Sequence, residues 1–91
     1  MDFEWDEAKS ERNRIGRGPS FALVATLFKG SVVERVDDLK DYGERRMRAV
    51  GVVDEQIVCC VYTDRGEIRR IISLRAASRR ERRGYRAGKL S

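Results

Sequence analysis

The stretch from Gln56 to Thr63 constrains this chain most. Ile57, Val58, Cys59, Cys60, Val61 and Tyr62 follow one another without a polar break, while the side chains of a strand alternate between its two faces. A strand that is apolar on both faces must be covered on both, which places it in the middle of a sheet. Asp64-Arg65-Gly66 follows as a hairpin connection, with glycine where a positive φ falls. Ile68 to Leu74 then reads as the partner strand. On the other side, Arg45 to Val53 alternates polar and apolar residues before Val50-Gly51-Val52-Val53, and Asp54-Glu55 makes a short turn. Connections this short make the three strands antiparallel neighbours. Ser31 to Val36, with β-branched Val32, Val33 and Val36, reads as one more strand, and Asp37 to Gly43 as a polar turn.

Helix signals flank this block. Phe3-Glu4-Trp5 alternates like an edge strand, and Asp6 is a good N-cap for a mostly polar helix to Ile15, with Glu7 in its first turn. Gly16, Gly18 and Pro19 stop it, and Ser20 caps a second helix. Phe21, Val24, Ala25 and Phe28, widened by Leu23 and Leu27, give that helix an apolar face for covering the sheet, and Lys29-Gly30 ends it. Ser78-Arg79-Arg80-Glu81 fits a capping box for a last helix running to about Ala87, with Gly88 as its stop and residues 88–91 as a loosened tail. A chain of 91 residues has room for one core. The expected fold is α+β: one domain over 1–91, a twisted antiparallel sheet in the order β-α-α-β-β-β-β-α, with two helices on one face.

Composition narrows the chemistry. There is no histidine, so the usual general base and the commonest metal ligand are both missing. Cys59 and Cys60, adjacent on a strand, point to opposite faces and suit neither a shared metal nor a disulfide; they read as buried free thiols in a reducing compartment. No cofactor and no metal are expected. No apolar run is long enough to span a membrane, and Asp2, Glu4 and Asp6 stand where a signal peptide would be basic, so a cytoplasmic protein is expected.

The net charge of +5 hides a division. Residues 1–68 hold 11 basic and 14 acidic side chains, whereas residues 69–91 hold nine basic ones against Glu81 alone. Of the 20 basic residues, 16 are arginine, whose planar fork of donors matches a phosphate or carboxylate in pairs. An arginine-dominated C-terminal quarter therefore favours a phosphate-rich or acidic partner over mere solubility. A basic helix without a helix-turn-helix partner argues against a reader of duplex DNA.

Two motifs resemble a known family. Phe3-Glu4-Trp5-Asp6-x-x-Lys9-x-x-x-Asn13 is similar to the opening signature of the BrnT-type toxins. Arg70-Ile71-Ile72-Ser73-x-Arg75-x-Ala77, with Glu81-Arg82-x-x-Tyr85 after it, resembles their closing signature, and Ser20-Phe21, Phe28, Arg46 and Gly51 fall at compatible places between. The resemblance implies a RelE-like fold and a ribonuclease that arrests translation as the toxin of a bacterial type II toxin–antitoxin pair. It also implies a BrnA-type antitoxin whose ribbon-helix-helix domain binds the promoter, so that DNA is met only through the antitoxin, in a complex of two toxins and two antitoxins. Where the family usually has Lys-His-Gly, this chain has Gly16-Arg17-Gly18. Arg17 neutralises a phosphate but takes no proton near neutral pH. This departure keeps a second reading open, a toxin-like binding module that acts with its antitoxin without cleaving RNA.

Cleaving RNA without a metal needs a group to take the 2′-hydroxyl proton, cations to stabilise the pentacoordinate phosphate, and a group to protonate the leaving 5′ oxygen. Arg46, Arg70 and Arg75 are the candidates for the phosphate. Residues 70 and 75 have opposite parity, so Arg75 is expected beyond the end of its strand if all three serve one site. Lys9 and Tyr85 are the preferred acid or base; Lys9 reads equally as a solvated helix residue and Tyr85 as an anchor for the last helix. Glu81 and Tyr62 are further titratable candidates, Glu81 reading more readily as the capping-box carboxylate, and Trp5 and Asp6 as packing and capping. Arg17, Arg79, Arg80, Arg82 and Arg83 are the expected contacts to the RNA backbone. About five such phosphate contacts would give a log–log salt slope of roughly −3 to −4 on single strands.

Overall fold

A computed structural model describes residues 1–38 and 41–90; Leu39, Lys40 and Ser91 lie outside the described residues, so the polar turn expected over 37–43 is seen only at its two ends. The strands are β1 (Asp2–Trp5), β2 (Val33–Asp37), β3 (Arg46–Val53), β4 (Gln56–Arg65) and β5 (Ile68–Ala76), and the helices are α1 (Glu7–Ile15), α2 (Val24–Lys29, entered through a 3₁₀ turn at Phe21–Leu23) and α3 (Arg79–Ala87). The element order is the expected one, and the fold is α+β. All strands join one sheet in the order β1-β5-β4-β3-β2. β4 is thus the central strand, as its unbroken apolar run requires.

The sheet is mixed rather than antiparallel throughout. β2, β3, β4 and β5 pair antiparallel, β3 to β4 and β4 to β5 through two-residue turns, but β1 lies parallel to β5, with Glu4 opposite Arg70 and Trp5 opposite Ile71. A strand joined to its neighbour only through the rest of the chain is free of the hairpin constraint.

Caps form where the sequence places them. Asp6 accepts from the Lys9 N–H, Ser20 caps the 3₁₀ turn, Ser78 and Glu81 complete the capping box, and Gly88 ends α3 at φ 77°. Of the expected tail, Leu90 is buried and packs with Val50, Cys59 and Ala77, while Ser91 lies outside the described residues.

The two faces of the sheet differ. The first is covered by α2 and the 3₁₀ turn: Phe21, Val24 and Leu27 pack on Ala49, Val58, Cys60, Tyr62, Ile71 and Leu74. Gly51 allows the close approach here, since a Cβ on it would sit 2.7 Å from Leu27 Cδ1. α1 is tied to this body by Asn13, whose Nδ2 donates to the carbonyls of Pro19 (2.6 Å) and Leu74 (2.9 Å). α3 crosses one end of the second face, where Val50, Cys59, Ala77 and Leu90 form a smaller core with Val33, Ile57 and Tyr85. The other end of that face holds Arg46 and Arg70, while Arg75 stands opposite Cys59 beside α3.

Candidate nucleic-acid interface

Arg70 and Arg75 share a face because β5 has one residue too many, but they stand four β4 residues apart, so Arg75 does not join Arg46 and Arg70. Val61 of β4 faces Ser73, yet Tyr62 faces Ile71, so Ile72 is an extra residue on β5. A bulge of this kind reverses the alternation of side chains beyond it. Arg70 stands opposite Thr63 and Arg75 opposite Cys59, two β4 residues of equal parity, so both arginines point to the same face. The expectation that Arg75 lies past the strand is therefore corrected: it is inside β5, which runs on to Ala76. The Arg69 side chain goes to the other face, over the rings of Phe28 and Tyr62.

β3 supplies the rest. Met47 faces Tyr62, so Arg46 falls beside Thr63, flanked on its far side by Arg70. Arg46, Thr63 and Arg70 make a row across three strands, its ends about 10 Å apart at the backbone. Arg48 lies one repeat along β3, with Arg35 of β2 opposite it. Neither Arg35 nor Arg48 was marked by the sequence motifs; only the cross-strand register reveals them. Arg65, at the end of β4, points to the same face. The Tyr42 ring lies under Arg46, 4.0 Å from its guanidinium carbon; the sequence reading missed it as well, because it lies before the strand begins.

Carboxylates hold these arms to different degrees. Arg46 and Arg70 have loose ion pairs, each at 3.6 Å, with Glu44 and Glu4, and Arg65 bridges those glutamates at 3.3 and 4.0 Å. Pairs this open contribute little and exchange readily for another anion. Arg75 is held tightly: its two Nη atoms donate to Glu81 at 2.6 and 2.9 Å. Glu81 also accepts from the Ser78 N–H at 2.8 Å and lies 3.6 Å from Arg48 Nη1. Burial alone would raise the Glu81 carboxyl, but the bonds from Arg75, Ser78 and the Cys59 thiol outweigh it and bring the group down to about 2. Glu81 is therefore an ionised anchor at neutral pH, and it has no proton to give.

The remaining candidates lie elsewhere. Tyr62 is buried on the first face, where its hydroxyl donates to Glu34 at 2.7 Å, and burial drives it away from ionisation. Tyr85 packs on the smaller core, and its hydroxyl donates to the Ser31 carbonyl at 3.3 Å, at the opposite end of the face from the Arg46 row. Lys9 is exposed on the first turn of α1. Arg17, at φ 68°, lines a cleft of about 140 Å³ with Pro19, Leu23, Val53 and Leu74 and does not join the arginine face. Arg79, Arg80 and Arg83 are on the exposed side of α3, whereas Arg82 folds back to the Ala77 carbonyl at 3.2 Å. Among the described residues no group of three or more His, Cys, Asp or Glu side chains could hold a metal ion, and no helix is long and apolar enough to cross a membrane.

The arrangement is an open, cationic sheet face bounded by a helix, fit to hold phosphodiesters through paired guanidinium donors. No curated protein matches the chain. The family model of the BrnT ribonuclease toxin of type II toxin–antitoxin systems matches residues 5–81. The chain belongs to the BrnT family of ribonuclease toxins, whose members are paired with an antitoxin.

Proposed function

We propose that the protein cleaves RNA on the arginine face by a metal-independent reaction through the 2′-hydroxyl. The observation that carries this reading is the row Arg46–Thr63–Arg70, in which two loosely paired guanidiniums from different strands face the same space. In the proposed reaction the 2′ oxygen attacks phosphorus and the 5′ oxygen departs, leaving a 2′,3′-cyclic phosphate and a 5′-hydroxyl. The 2′-hydroxyl proton passes to solvent water, and the 5′ oxygen gains a proton from a phenol that solvent then reprotonates. Arg46 and Arg70 stabilise the charge that builds on the phosphorane oxygens. Tyr42, whose ring lies against the Arg46 guanidinium, protonates the leaving oxygen in this reading, since the Tyr85 hydroxyl is engaged with Ser31 farther along the face and Lys9 lies on α1. Arg75 serves by anchoring α3 rather than by touching the phosphate. Arg79, Arg80 and Arg83 add to the field that draws RNA in.

In the cell this activity arrests translation, and a BrnA-type ribbon-helix-helix antitoxin ends it by laying an acidic segment over the arginine face. Two toxins and two antitoxins form the complex, which meets promoter DNA through the antitoxin. A second reading, a binding module without cleavage, is favoured by the absence of histidine and by the locked Glu81 carboxylate.

The experiment is incubation of the purified protein with bulk RNA in excess EDTA, with the product ends analysed. Cyclic phosphate ends support the proposal. Intact RNA in the presence of folded protein, with tight antitoxin binding, supports the binding module instead.

A further inference from the structure

Arg35 on β2 and Arg48 on β3 are direct cross-strand partners. Like charges placed opposite one another on antiparallel strands repel, and nothing in strand formation requires such a pair. Acidic groups share this face, among them Asp37, opposite Arg46 and two residues from Arg35 on β2. The Glu81 carboxylate, 3.6 Å from Arg48, is already bonded by both Nη atoms of Arg75. Arg35 reaches the Leu90 carbonyl, a neutral acceptor, at 3.5 Å. These contacts to α3 and to the chain beyond it fix both arms on the face of Arg46 and Arg70. Arg48 is two residues from Arg46 along β3, about 7 Å away, a distance comparable to that between consecutive phosphates of an extended polynucleotide.

We propose that Arg35 and Arg48 form a second phosphate subsite, which takes the phosphodiester adjacent to the one held by Arg46 and Arg70 in single-stranded RNA. This rests on the phosphate reading of the Arg46 row and extends it by one nucleotide. A phosphate between the two forks replaces their repulsion with charge-assisted bonds. The ionised Glu81 closes the track on the α3 side, since a phosphate displaced that way meets a like charge.

The test uses 2′-O-methyl oligoribonucleotides, which bind but have no free 2′-hydroxyl to attack. Fluorescence anisotropy compares a dinucleotide with one phosphodiester and a trinucleotide with two, across a salt series. With the wild-type protein the second phosphate is expected to raise affinity and to steepen the log–log salt slope by about 0.7. Arg35→Gln/Arg48→Gln is expected to lose both increments, so that the trinucleotide binds no better than the dinucleotide. A double variant that keeps both increments overturns the subsite. Binding of neither oligonucleotide to the wild type overturns the phosphate reading of the whole face. A hexaglutamate peptide that outcompetes the trinucleotide, and is weakened as much by the double substitution, assigns the pair to an acidic protein segment and also overturns the subsite. Arg35→Gln alone, at an exposed position, serves if the double variant does not fold, with at least half of the slope increment expected to be lost.

Discussion

The Arg75 guanidinium meets the Glu81 carboxylate through two parallel bonds of 2.6 and 2.9 Å, with Glu81 only 7% exposed and Arg75 49% exposed. The pair joins the end of β5 to the first turn of α3. The same carboxylate closes the capping box and lies beside Arg48, so one residue fixes where the helix starts and where the cationic face stops.

Glu81→Gln separates those duties, because glutamine can still serve at the third position of a capping box. The wild-type carboxyl is held at about 2 against an ordinary 4.5. A depressed folded value stabilises the protein above the unfolded pKa, and the gain fades as pH falls from about 4.5 towards 2. The shift corresponds to about 3 kcal/mol, discounted to about 2 kcal/mol for the exposure of Arg75. Urea midpoints measured at several pH values are expected to fall steeply below pH 4.5 for the wild type and more gently for the variant, which starts lower at pH 7.

Asn13 bridges two carbonyls, from Pro19 and Leu74, with its side-chain amide. Asn13→Ala leaves both without that donor and is expected to cost about 1–3 kcal/mol. Asn13→Asp is expected to cost more, since an ionised carboxylate offers only acceptors to two acceptors. Thermal melts rank the three proteins, and an aspartate variant as stable as the wild type would remove the bridge from the account.

Burial pushes the thiols of Cys59 and Cys60 up to about 12. The thiolate is the reactive form, so a disulfide reagent at pH 8 is expected to modify neither in the native protein and both on unfolding in guanidinium. Rapid reaction of one thiol in buffer would show that the covering of that face opens.

Much of this fold is legible in the sequence because its signals are local. An apolar run on both faces locates β4 at the centre, and Asp6, Ser78 and Glu81 announce helix starts by bonds that span a few residues. The arginine face is less legible because cross-strand register creates it. Nothing in Arg70-Ile71-Ile72-Ser73 marks Ile72 as the extra residue, yet that residue turns Arg75 to the side of Arg70. Arg35 and Arg48 are 13 positions apart in the chain and become neighbours only through the pairing of β2 with β3. The parallel docking of β1 and the burial of Leu90 likewise depend on surfaces assembled by the rest of the chain.

Arg46 and Arg70 are proposed to hold the reacting phosphate. Single-turnover cleavage of a short RNA at saturating protein tests this proposal most directly, with Arg46→Gln and Arg70→Gln compared against Arg14→Gln, a control of equal charge on α1. A loss of roughly 100-fold or more is expected for each of the first two and a rate within about twofold of wild type for the control. Folded Arg46→Gln and Arg70→Gln proteins that cleave as fast as the wild type would contradict it.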